Sequence, residues 1–92
     1  MKYLITLNTP TEVSNSLMKN SKDAQKEMKE IMAQLKPEAA YFSTIRRFSI
    51  FVVNVNDPHV ELRRISETLS KYGNVTVDPV STTEEFLRFW EM

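Results

Sequence analysis

Cysteine is absent from this chain of 92 residues, and glycine occurs only once. Without thiols there is no disulfide framework, no thiolate nucleophile and no thiolate metal site. With a single glycine, Gly73, there is no glycine-rich loop to cradle phosphates, and neither G-x-S-x-G nor H-E-x-x-H occurs. Histidine also occurs once, at His59, which rules out a multi-histidine metal centre. The expectation is a protein without metal or other cofactor.

Two further shortages narrow the partners. Twelve basic and twelve acidic side chains cancel, so no net field draws the chain to phosphate backbones or anionic membranes. No apolar run approaches the roughly 18 residues of a membrane-spanning helix, and MKYLITLN reaches Asn8 and Pro10 without a signal-peptide core. Nucleic acid and membrane are therefore not expected as partners, and the cytoplasm is the expected location. The length suits one domain spanning 1–92, without linker or repeat.

What is present reads as alternating strands and helices. Lys2 to Leu7 alternates as a strand, with Tyr3, Ile5 and Leu7 on one side. In TPTE, Thr9 is placed to cap a helix, Pro10 to occupy its first position and Glu12 to complete a capping box. Val13, Leu17, Ala24, Met28, Ile31 and Leu35 then recur at helical spacing, with a break expected near Asn20-Ser21. Pro37 ends that segment. Ala39 to Ile45 reads as a second strand, Arg46 and Arg47 mark a tight connection, and FSIFVVNV supplies a third strand. Asp57-Pro58 starts another helix, bearing Leu62, Ile65 and Leu69, with Gly73 as its C-terminal stop. Asn74 to Val80 is the fourth strand, and STTE caps a short final helix with Phe86, Leu87, Phe89 and Trp90.

The order βαββαβ plus a C-terminal helix predicts an α+β, ferredoxin-like antiparallel sheet with both long helices on one face. That leaves an awkward strand. Phe48, Ile50 and Val52 point one way while Phe51, Val53 and Val55 point the other, so both faces of the third strand are apolar. An uncovered apolar sheet face is costly, and a second copy is the economical cover. The expected assembly is a homodimer joined through sheet faces.

The stretch AYFSTIRRFSIFVVNVNDPHVELRRI resembles the dimeric α/β-barrel superfamily of ferredoxin-like proteins, through its hairpin and its V-V-x-V-x-D-P transition into a helix. Within it, the chain is similar to small families grouped with muconolactone isomerases and YCII-like proteins. The resemblance implies two sheets paired as a shared barrel. It implies no catalytic residue, because the His/Asp pair of YCII-type enzymes has no matching motif here.

Candidate site residues follow from chemistry alone. Arg46 and Arg47 can grip a carboxylate in paired hydrogen bonds, which suits a small organic acid. Tyr3 offers a hydroxyl as a ligand-binding handle on a strand. Tyr41 and His59 are the candidates for moving protons. Two functions remain open: isomerisation or proton transfer on a small carboxylate compound, and a non-catalytic ligand-sensing or structural assembly module.

Overall fold

Alternation along KYLITLN sends Tyr3, Ile5 and Leu7 to one side and Lys2, Leu4 and Thr6 to the other; the first set is buried and the second half-buried. A computed structural model of the protein describes residues 1–19, 21–43 and 46–91. The side chain of Leu17, together with Asn20 and Ile45, lies outside the described residues. This first strand, β1 (Lys2–Asn8), is central and pairs antiparallel with β3 (Phe48–Asn54) and β4 (Asn74–Val80). The strand β2 (Ala39–Phe42) pairs beyond β3, giving the sheet order β2-β3-β1-β4. Pro79 cannot donate a ladder hydrogen bond and sits on the edge strand β4, where that is tolerated.

Among the described residues, four helices complete the α+β architecture: α1 (Thr11–Lys19), α2 (Ser21–Leu35), α3 (Pro58–Leu69) and α4 (Thr83–Glu91). The order and antiparallel pairing are those of a ferredoxin-like sheet. Ile31 and Leu35 of α2 and Ile65 and Leu69 of α3 share a buried cluster with Tyr3, Ile5, Leu7, Phe51, Val53 and Val55. Both helices thus cover the same sheet face. Each of these aliphatic side chains contributes about 1.5–3 kcal/mol by leaving water.

The helix boundaries have local causes, some of which differ from the sequence reading. Lys36 ends α2 in the left-handed region at φ 46°, and Pro37 prevents continuation. Asp57 stands at the N-cap of α3 but makes no side-chain cap bond. Glu61 instead reaches back, its Oε2 accepting from the amides of Asn56 and Asp57 at 2.8 Å each. The same helix ends at Leu69 with Ser70 still right-handed, so Gly73 is not its stop. Gly73 is needed for close approach: a Cβ there would lie 2.0 Å from the backbone oxygen of Asn8. In α4 the capping box falls one residue later than expected, between Thr82 and Glu85. The Thr82 hydroxyl and then its amide donate to Glu85 Oε1 and hold that carboxyl below its ordinary pKa.

The opposite sheet face is apolar on one half. Across the strands run the rows Tyr41-Ile50-Thr6-Thr76 and Ala39-Val52-Leu4-Asp78. Leu4, Phe48, Ile50 and Val52 are only half-buried. Nor does α4 lie sandwiched upon them, since every residue from Ser81 to Glu91 is exposed. Its rings stack on each other instead, Phe86 on Trp90 at 5.9 Å, while Trp90 remains 76% exposed. A projecting helix fits the radius of gyration of 14.9 Å, against about 12 Å for a compact chain of this length.

Candidate functional site

A gap in the helix-facing side of the sheet defines the site. Rows there read Tyr3-Val53, then Ile5-Phe51-Ala40, then Leu7-Ser49-Phe42. The serine in the last row puts a small side chain between Leu7 and Phe42, and Ala24 of α2 is equally small. Large side chains therefore do not fill this end, and a cavity of about 550 Å³ opens between sheet and helices. Its size is in the range of small-molecule pockets.

Leu7, Phe42 and Phe51 form part of its floor, and Met18, Met28 and Ile31 come from the helices above. Phe42 meets Phe51 edge to face at 5.8 Å. The apolar walls meet charge at the rim. Arg46 and Arg47 both line the cavity and are both exposed. The Arg46 amide donates to the Ser43 hydroxyl at 2.8 Å. Arg47 is held twice: its carbonyl accepts from the Thr9 amide, and its Nη1 donates to Thr11 Oγ1, each at 2.8 Å. These bonds tie the connection before β3 to the start of α1, so the guanidinium is positioned before any ligand arrives. Among the described residues, neither arginine has an acidic partner within 4.0 Å.

A second polar group was not foreseen. Tyr72, in the turn after α3, donates its hydroxyl to Glu27 Oε2 on α2 at 2.8 Å, and both residues line the cavity. Burial, then the hydrogen bond and negative charge of Glu27, push the phenol up to about 12. A pKa raised on folding favours the neutral phenol. The pair therefore adds stability below about pH 10, the unfolded value, and loses it as pH climbs through about 12. No spacing in the sequence links residues so far apart, and Glu27 sits in a charged run that reads as an outer helix face.

The other sequence candidates lie elsewhere. Tyr41 is on the opposite sheet face, 67% exposed. Tyr3 is a core residue at the far end of β1 from Leu7, its hydroxyl donating to Met1 Sδ at 3.4 Å. His59 is the exposed second residue of α3, beyond the end of β3, whereas the arginines precede its start. The seven residues of β3 put those ends about 20 Å apart. Within one chain the structure brings together Arg46 and Arg47, and does not join them to Tyr3, Tyr41 or His59. Among the described residues, no group of three His, Asp or Glu side chains could hold a metal, and no helix is long and apolar enough to cross a membrane. Comparison with protein-family models finds no match, and comparison with curated proteins finds none that is significant.

Proposed function

We propose that this chain is a cytoplasmic protein that binds a small organic acid in the cavity between its sheet and its helices. One observation carries the reading: an apolar cavity of about 550 Å³ has two guanidinium groups at its rim that lack acidic partners among the described residues. Arginine matches a carboxylate in geometry and charge, and the apolar walls accept the rest of such a molecule. Binding without turnover is the better-supported form of the reading, because Tyr41 and His59 stand away from the cavity. An isomerase-like reaction on a small carboxylate compound is the second form; it would need a proton carrier at the cavity, where Tyr72 stands.

The test is calorimetric titration with hexanoate. The Arg46→Gln/Arg47→Gln double variant is expected to weaken binding by about 10–100-fold, the usual worth of hydrogen bonds to a charged group. Unchanged affinity would refute the assignment.

The open sheet face supports the second half of the proposal, a homodimer whose sheets pair as an α/β barrel like those of the superfamily the sequence resembles. Three strands about 23 Å long and the shorter β2, about 13 Å, lie about 4.8 Å apart and present roughly 390 Å² of flat footprint. A stable interface takes about 800 Å² per partner. The sheet alone therefore falls short, and the exposed apolar residues of α4, Phe86, Leu87, Phe89 and Trp90, supply the remaining surface by lying on the partner. Ile50 sits at the centre of the face, between Tyr41 and Thr6. Ile50→Arg is expected to convert a dimer into a monomer at about 10 μM while leaving the fold intact, because its side chain points away from the core. Light scattering coupled to size exclusion reads the mass, and a variant that stays dimeric would contradict the proposed interface.

A further inference from the structure

The cavity carries opposite charges on its two sides. Asn8, the last residue of β1, pairs with Phe48 on one side and Asn74 on the other. Arg47 immediately precedes Phe48, and Tyr72 comes two residues before Asn74. Their backbones thus flank β1 two strand spacings apart, about 10 Å. Arg46 and Arg47 stand on one flank, and the Tyr72-Glu27 pair on the other. Met28, Ile31, Phe42, Phe51 and Leu69 line the space with them.

Neither end is neutralised internally. Among the described residues, no Lys or Arg lies within 4.0 Å of Glu27, just as no acid lies within that distance of the arginines. Tyr72 occupies one Glu27 oxygen, Oε2, and leaves the other for a further donor. The phenol, having given its proton to that bond, presents its oxygen lone pairs as acceptors.

On the reading that an acid occupies the arginine end, we infer that the ligand is bipolar: a carboxylate at one end, a short apolar spacer, and an ammonium or hydroxyl donor at the other. A simple fatty acid would turn its alkyl end towards Glu27 and make no hydrogen bond to that carboxylate. A dicarboxylate would set like charges together. An ω-amino or ω-hydroxy acid satisfies both ends, and the ammonium form gains most because it meets a carboxylate.

Four probes of one length separate these cases: hexanoate, its ω-amino and ω-hydroxy derivatives, and adipate, each titrated into the full-length protein. The ω-amino acid is expected to bind about tenfold more tightly than hexanoate, with adipate weakest. In Glu27→Gln, whose side chain is exposed and whose amide oxygen can still accept from Tyr72, the ratio of ω-amino acid to hexanoate affinity should fall to about one. Hexanoate or adipate binding as tightly as the ω-amino acid, through Arg46 and Arg47, would overturn the bipolar ligand and leave the acid site standing. Failure of all four probes, or binding indifferent to Arg46→Gln/Arg47→Gln, would overturn both.

Discussion

Phe51→Ala is expected to lower stability by about 3–5 kcal/mol. Phe51 is 0% exposed on the central pair of strands, where it faces Ile5 on one neighbour and Ala40 on the other. It also packs edge to face against Phe42 and forms part of the cavity floor. Truncation removes the ring's transfer energy and its aromatic contact, and enlarges a space that already exists, so collapse around the missing side chain is hindered. A chain of this length has about 5–14 kcal/mol of stability in all, so the loss is a large fraction of the total. Urea unfolding reads it as a lower midpoint at unchanged slope. A loss under about 1 kcal/mol would mean that Phe51 is not the buried centre described. Ile50→Arg, one residue away and on the opposite face, provides the contrast: its effect should fall on association and not on the fold.

Gly73→Ala is expected to cost about 2–4 kcal/mol although only one methyl group is added. The new Cβ would stand 2.0 Å from the Asn8 oxygen, 2.8 Å from the Asn8 carbonyl carbon and 3.0 Å from Thr9 Cα. All three are backbone atoms, so no side chain can swing aside. At φ +158° the backbone is also one that side-chain-bearing residues seldom adopt. Relief requires β4 to move from β1 at the point where the chain turns towards α1, and that point borders the cavity through Thr9 and Tyr72. A melting temperature lower by roughly 10–25 °C is the expected reading. A variant as stable as the parent would show that the β1-β4 junction is looser than its geometry.

Much of the fold was legible because its signals are local. The seven residues of β4 match the expected strand Asn74 to Val80, and β1 extends its expected range by only Asn8. The break expected near Asn20-Ser21 falls on Asn20, which lies outside the described residues. The two apolar faces of β3 were visible as alternating residues, and Phe51, Val53 and Val55 took the core. Tertiary contacts were not legible. Gly73 resembles a helix stop in a one-dimensional reading, and only the return of β4 beside β1 reveals the backbone it must avoid. Asp57 was a sensible cap by residue type, but the longer Glu61 reached both free amides from inside the helix.

The candidate site divides along the same line. Arg46 and Arg47 were picked out by their chemistry and lie at the cavity because the β2-β3 connection does. Tyr41 and His59 were picked out by the same criterion, and strand alternation and the length of β3 put them elsewhere. Tyr72 and Glu27 meet 45 residues apart, through the packing of α2 against the turn after α3, which no periodicity encodes.

The most direct test of an acid-binding cavity is a residue-resolved NMR titration of the full-length protein with hexanoate. Saturable amide shifts are expected at Thr9, Ser14, Phe42, Arg46, Arg47 and Ser49, which line the cavity, with Leu4, Val52, Thr76 and Asp78 on the opposite face unmoved. Shifts confined to that opposite face, or none at millimolar ligand, would contradict it.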